Sequence, residues 1–253
     1  MAQILSVTSG KGGVGKTSFA VNLGTSLASS GRRTLILDAD LGLANAHILC
    51  GSRPEKTLSD YVDGKVDLPE VIVEGPAGLR MISGGSGVAE MANLDEAGRQ
   101  KILDAVLQLT PWVDVIIIDT AAGISRSVTD FIKISDHTLV VCTPNFAAIA
   151  DAYGIMKVIT TEGYKGGLHL LVNRVLSMDE AEAVYKKLQG CTNRFLGLNI
   201  ELLGFLPEDP AVNKAVQKRT PYLLSFPDAV VSRYLGQVAK KVEDTLLEKI
   251  RAT

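Results

Sequence analysis

Residues Gly10-Lys11-Gly12-Gly13-Val14-Gly15-Lys16-Thr17 combine glycines, two lysines and a hydroxyl in the spacing G-x-x-x-x-G-K-[ST]. They follow the apolar run Ile4-Leu5-Ser6-Val7 and lead into a helical pattern from Thr17 to Ser29. A strand entering a glycine-rich turn and then a helix makes a phosphate-binding loop, because glycines let the loop curl until successive backbone N–H groups point inward at phosphate oxygens. Lys16 then reaches the β- and γ-phosphates and the Thr17 hydroxyl ligates Mg2+. The positive end of the helix, with Ser18 in its first turn, faces the same anion. The chemistry implied is the binding of a nucleoside triphosphate. Lys11 stands apart, since a phosphate loop needs no charge at that place; by itself it also reads as a solvated surface lysine.

Three aspartates fall where such a site needs acid. One apolar segment ends in Leu37-Asp38-Ala39-Asp40 and a later one in Ile118-Asp119-Thr120. An aspartate at the carboxyl end of a buried strand beside a phosphate loop can hold Mg2+, usually through water. Singly, each could equally be a loop or helix-capping aspartate; together with the loop they form a constellation.

The elements that must position these groups alternate along the chain. Apolar, β-branched strand candidates are Ile4–Val7, Thr34–Leu37, Leu79–Ile82, Val113–Ile118, Thr138–Cys142, Leu168–Val172 and Ile200–Phe205. Helical stretches between them include Leu94–Leu109, Ala147–Thr161 and Asp179–Phe195. A continuous run such as Val113-Asp114-Val115-Ile116-Ile117-Ile118 suits a strand buried on both faces. The expected fold class is α/β, a doubly wound, mostly parallel sheet with helices on both faces and its ligand at the carboxyl ends of the strands. Residues 1–253 read as one domain closed by a C-terminal helix over about 228–250, capped by Asp228 and striped by Val231, Tyr234, Leu235, Val238, Val242, Leu246 and Ile250.

Bulk properties exclude several classes. A net charge of −2 and an apolar fraction of 46% exert no global pull toward nucleic acid or anionic lipid. Lys186, Lys187, Lys214, Lys218 and Arg219 are scattered enough to read as solvated surface rather than a DNA-binding patch. No apolar run approaches the roughly 18 residues needed to span a bilayer. The first strand begins almost at Met1, so a targeting leader is not expected, and the chain reads as cytoplasmic. Cys50, Cys142 and Cys191 lie far apart without a C-x-x-C pair, as expected of reduced thiols rather than iron–sulfur ligands. His47, His137 and His169 have no metal-ligand spacing, which leaves Mg2+ to oxygen donors.

With its extra lysine, GKGGVGKT resembles the deviant Walker A motif of the MinD/ParA/nitrogenase-iron-protein family of ATPases. The resemblance extends over nearly the whole chain: Asp38-Ala39-Asp40-Leu41-Gly42-Leu43-Ala44-Asn45 is similar to the switch I region of MinD-type ATPases, and Asp119-Thr120-Ala121-Ala122-Gly123-Ile124 to their Walker B and switch II. It implies that Lys11 reaches across a face-to-face homodimer to the partner's phosphates and that Asp40 orients the attacking water. It further implies that Asp38 and Asp119 support Mg2+, that Asn45 lies toward the dimer face, and that Gly123 lets switch II approach the γ-phosphate. At the base end it implies that Asn173, followed by Arg174, contacts adenine and that the Pro207-Glu208-Asp209 loop borders it. A guanine-specific N-K-x-D is absent, since Asn173 is followed by Arg174-Val175-Leu176, so ATP is favoured over GTP. An asparagine that merely turns the chain remains the alternative.

Within that family, Gly75-Pro76-Ala77-Gly78-Leu79-Arg80-Met81-Ile82-Ser83-Gly84-Gly85, Ser125-Arg126-Ser127-Val128, Thr143-Pro144 and Val172-Asn173-Arg174-Val175 resemble the FlhG (YlxH/FleN) branch. The resemblance implies control of the number or placement of flagella, with the GTPase FlhF, flagellar switch proteins or a flagellar transcription activator as partners. The residues given contain no D-Q-A-x-x-L-R-like motif, so stimulation of FlhF is not carried over. Lys240, Lys241, Lys249 and Arg251 are mixed with Glu243, Asp244 and Glu248, which favours a core-closing helix over a MinD-type membrane anchor; peripheral association with the inner face of the membrane stays open. Alternatives are a ParA/MinD-type ATPase positioning a chromosome, pilus or division site, and a nucleotide-gated scaffold that does not hydrolyse. Lys16→Ala should weaken ATP binding more than tenfold (about 1.4 kcal/mol) in calorimetry; a smaller loss would remove Lys16 from the phosphate site.

Overall fold

The computed structural model describes residues 2–41, 44–85 and 95–247. Strands are β1 Gln3–Thr8, β2 Thr34–Ala39, β3 Ile72–Glu74, β4 Arg80–Ser83, β5 Val115–Thr120, β6 His137–Cys142, β7 Gly167–Val175 and β8 Glu201–Pro207. Helices are α1 Lys16–Ser29, α2 Ala46–Leu49, α3 Leu58–Val62, α4 Glu96–Leu109 and α5 Arg126–Lys133, followed by α6 Phe146–Thr161, α7 Met178–Leu196, α8 Pro210–Lys218, α9 Tyr222–Ser225 and α10 Val230–Leu246. The eight strands form one sheet in the order β3-β4-β2-β5-β1-β6-β7-β8, parallel except for β3.

Strand periodicity explains the layering. Val115 and Ile117 of β5 belong to one buried cluster with Phe19, Leu23 and Leu27 of α1. Ile116 and Ile118 belong to another with Ile102, Val106 and Leu109 of α4. Successive side chains point to opposite faces, so a strand apolar at every position needs a helix on each side. β2 repeats the pattern, with Ile36 in the first cluster and Leu35 and Leu37 in the second. A doubly wound α/β sheet follows.

Register then assembles the acids. β2 pairs with β5 so that Asp38 lies beside Asp119, and β5 pairs with β1 so that Val7 lies beside Asp119. Partners in a parallel ladder share a face about 4.8 Å apart. Asp38 and Asp119 alternate with the α4-side residues Leu37 and Ile118, which places both carboxyls on the α1 side, at the end where β1 enters the glycine loop.

Some expectations change. β3 escapes sequence reading because three residues on an antiparallel edge, two half-buried and one exposed, carry no apolar run. β5 begins at Val115 rather than Val113, since Asp114 is spent on Arg33, accepting its backbone N–H at 2.9 Å and its guanidinium at 2.7 Å. Asp95 caps α4 through the Gly98 N–H at 2.8 Å; Leu94 lies outside the described residues. Asp228 does not cap α10. The cap position is Ala229, and the Val231 N–H goes instead to Asp209 Oδ2 at 3.2 Å.

The stripe of α10 closes the core. Val231, Leu235, Val238, Val242 and Leu246 are buried and Tyr234 packs against them; Ile250 lies outside the described residues. Arg32 of the α1–β2 turn ties to Glu243 at 2.9 Å. Among the described residues no helix is long and apolar enough to cross a membrane. Leu235→Ala should cost about 2–5 kcal/mol in urea unfolding, against about 0.5 kcal/mol or less for the exposed Val230→Ala. Equal small losses would mean that the stripe is not core.

Candidate functional site

The loop between β1 and α1 takes the shape its glycines allow. Gly13 and Gly15 have φ of 78° and 96°, in the left-handed region that a Cβ disfavours. Gly15 occupies the cap position of α1, and its carbonyl accepts the Phe19 N–H at 2.9 Å. Gly12 and Gly13 are exposed while Val14 is buried, so the loop is open on one side and packed on the other. The segment after β5 is tied to it, Gly123 donating its N–H to the Ser9 carbonyl at 2.9 Å.

The two lysines of the loop have opposite surroundings. Lys16 is 9% exposed; burial lowers its pKa, and the charges of Asp119 and Asp40 oppose that shift. Lys11 is exposed, with its carbonyl held by the Ser9 hydroxyl at 2.6 Å. Asn45 is also exposed, and Gly42 and Leu43 of the switch I segment lie outside the described residues.

Asp38 and Asp119 are both about 1% exposed. Burial pushes the Asp119 carboxyl well above the usual range and the Asp38 charge pushes the same way, with Thr17 hydrogen bonding and Lys16 in opposition. Burial raises Asp38 too, resisted by backbone donors. These donors are Asn45 N–H at 2.7 Å, Ala46 N–H at 2.8 Å and Asp40 N–H at 3.2 Å. Asp38 therefore ties down the segment after β2, Oδ2 accepting two of these N–H groups and Oδ1 one. Asp119 Oδ1 is buried with no partner among the described residues. A carboxylate oxygen orphaned beside a phosphate loop suits a divalent cation whose remaining positions are filled by phosphate oxygens and water.

A cavity of about 440 Å3 continues from the loop toward β8, lined by Gly15, Ser18, Asn173, Arg174, Pro207 and Asp209 among others. The loop and both base-end segments, far apart in sequence, thus share one concavity. Asp209 divides its carboxylate between two helix starts, accepting from Ala211 N–H of α8 at 2.9 Å and from Val231 N–H of α10 at 3.2 Å. It shapes the cavity wall with both oxygens engaged. Sequence reading missed Tyr222, which lines the same cavity, is 2% exposed and has a hydroxyl with no hydrogen-bond partner among the described residues. Its neighbour Leu223 is anchored to Asn22 of α1, N–H to Oδ1, at 3.0 Å. Only the Pro-Tyr step entering a short helix could have drawn attention to it.

A family model described as "ParA: NUBPL iron-transfer P-loop NTPase" matches residues 1–243. The antiactivator FleN of Pseudomonas aeruginosa is 37% identical over 241 residues, covering 95% of this chain and 86% of FleN. The chain belongs to the FleN/FlhG branch of the MinD/ParA family of P-loop ATPases. The flagellum site-determining protein YlxH of Helicobacter pylori is 31% identical, covering 97% of this chain and 85% of YlxH. Among solved structures, the septum site-determining protein MinD of Pyrococcus horikoshii, complexed with Mg-ADP, superposes with a TM-score of 0.84 at 24% identity over 100% of both chains, a likeness of fold. Cys50, Cys142 and Cys191 are free thiols, Cys142 buried and the other two half-buried.

The acidic pair sets a pH dependence. Carboxyls whose pKa is raised on folding make the folded state bind more protons than the unfolded one, so stability is greatest below the unfolded value and declines as pH rises. Unfolding of the nucleotide-free protein should therefore become easier from about pH 4 toward neutrality. Asp119→Asn should flatten that decline, as followed by urea midpoints across the range. An unchanged slope would mean that the pair is not burdened by burial and mutual repulsion.

Proposed function

We propose that this chain works as one MinD-like ATPase domain, closed by α10, whose ATP-bound homodimer regulates the number or placement of flagella. The observation that carries the reading is the contrast between two lysines of one loop: Lys16 is buried beside Asp119 and Asp40, while Lys11 stands exposed at the loop's open side. The names of the relatives, an antiactivator and a flagellum site-determining protein, support the flagellar role.

ATP is the substrate, its base in the cavity beside Asn173, Arg174, Pro207 and Asp209 and its phosphates in the loop from Gly10 to Ser18. Thr17 and Asp119 would hold Mg2+, with the Asp38 charge adjacent, and the ion supplies neutralisation of phosphate charge. Lys16 binds the β- and γ-phosphates. Asp40, half-buried at the end of β2, orients a water whose oxygen attacks the γ-phosphorus in line as the bond to the ADP oxygen breaks. Lys11 of the opposite subunit neutralises charge on the phosphates, so turnover is slow until a dimer forms and a partner orders the switches.

Exposed apolar side chains support docking at this end of the molecule. Ile124 follows β5, Phe146 follows β6, and Leu176 and Met178 follow β7; their exposures run from 56% to 83%. Partners proposed for this surface are FlhF, flagellar switch proteins or a flagellar transcription activator. The buried stripe of α10 is committed to the core, so peripheral membrane association would use another surface.

With ATP and Mg2+, Asp40→Ala should accumulate as a dimer in light scattering, and ADP should leave it monomeric. Lys11→Ala should keep monomer affinity for ATP while dimerisation weakens about 10- to 150-fold, the range for a lost charge-assisted contact of about 1.5–3 kcal/mol. Mixing the two variants should restore some hydrolysis, because each heterodimer holds one site with Asp40 intact and Lys11 from the other subunit. No recovery in proven heterodimers would rule out action in trans.

A further inference from the structure

The amide of Asn173 touches the phosphate loop itself, and this contact has a different consequence from reading a base. In a loop whose N–H groups point inward at an anion, the carbonyls must point away, and a buried carbonyl needs a donor. Val14 is 4% exposed and lies between Gly13 and Gly15, the two loop residues with left-handed φ. Its carbonyl accepts a hydrogen bond from Asn173 Nδ2 at 2.8 Å, across 159 residues of sequence.

The direction of the amide is fixed. Asn173 Oδ1 accepts the Arg174 N–H at 2.9 Å, so a reversed amide would set oxygen against the Val14 carbonyl and NH2 against an N–H. The Arg174 N–H is free to turn inward because β7 bulges there: the register with β8 shifts between Asn173 and Val175, and Arg174 adopts a φ of 57°. Bulges of this kind re-aim a side chain at the end of a strand. A second contact shows the same closeness, since a Cβ on Gly15 would lie 2.4 Å from Asn173 Nδ2.

We infer that Asn173 is a positioning residue for the phosphate loop, holding the Val14 carbonyl turned away from the anion whichever base is bound. The inference rests on the nucleotide reading above and adds that the base pocket and the phosphate cradle share a wall. Occupation of the cavity would press on the same amide that shapes the loop.

The test compares Mg-ATP with Mg-ribose 5′-triphosphate, which keeps the phosphates and lacks the base, by calorimetry on wild type, Asn173→Ala and Asn173→Asp. The aspartate keeps the shape and loses the donor, and thermal unfolding without ligand checks that both variants fold. A positioning role predicts that both ligands weaken by a similar factor, on the order of tenfold, in both variants. Loss confined to ATP would make Asn173 a base reader and overturn the inference, as would no loss with either ligand. Wild type that binds ATP but not ribose triphosphate would also overturn it, since a loop held by the protein alone accepts phosphates without a base. Wild type that binds neither defeats the nucleotide reading beneath it, a failure visible before any variant is made.

Discussion

Two carboxyls, Asp38 and Asp119, are held side by side on adjacent strands at the end of the sheet, both almost wholly buried, with the Lys16 ammonium close by. Charges taken out of water are costly unless they are paired or hydrogen-bonded, and here the pairing is incomplete. Lys16 offsets part of the repulsion, and three backbone N–H groups satisfy Asp38, yet one oxygen of Asp119 has no partner among the described residues. The fold thus holds in reserve an electrostatic demand that a divalent cation and a polyphosphate meet. The sheet's register, the helix after the loop and the segment after β2 all serve to keep that demand in place.

Hydrogen bonds join that pair to neighbouring segments. Asp38 holds Asn45 and Ala46 by their backbone N–H groups, so the carboxyl beside Asp119 is bonded directly to the start of α2. The segment after β5 is fastened to the loop entrance through Gly123 and Ser9. On the other flank, Asp209 joins the starts of α8 and α10, and Asn22 of α1 holds the chain beside Tyr222. Cross-ties of one carboxylate or one amide between distant segments are economical ways to make a site rigid, because each removes several backbone degrees of freedom at once.

Much of the fold was legible from periodicity. Runs such as Val115-Ile116-Ile117-Ile118 demanded helices on both faces, and the alternation of strands with helices implied a parallel sheet. The edge strand β3 was not legible, since three residues, none of them buried, carry no pattern above background. The cap of α10 was misread for a related reason. Asp228 has the right chemistry and nearly the right place, but a carboxylate from the start of α8 reaches the helix end first, and sequence proximity does not measure that distance.

The sequence by itself determined the kinds of chemistry at this site. Glycine spacing, Lys16 and Thr17 act through short-range sterics and a contiguous strand-loop-helix, and aspartates at the ends of apolar runs are placed by strand alternation. These are local properties of a few neighbouring residues, so they can be read without the fold. Only the tertiary structure decided that Asp38 stands beside Asp119, that Asn173 closes on Val14, and that Tyr222 joins the cavity. It also decided that Lys16 is buried while Lys11, five positions earlier in the same loop, is exposed. Such outcomes depend on which surfaces approach once helices and strands pack, and on whether water is excluded there. That is a sum over contacts between residues far apart in the chain, which no local pattern contains.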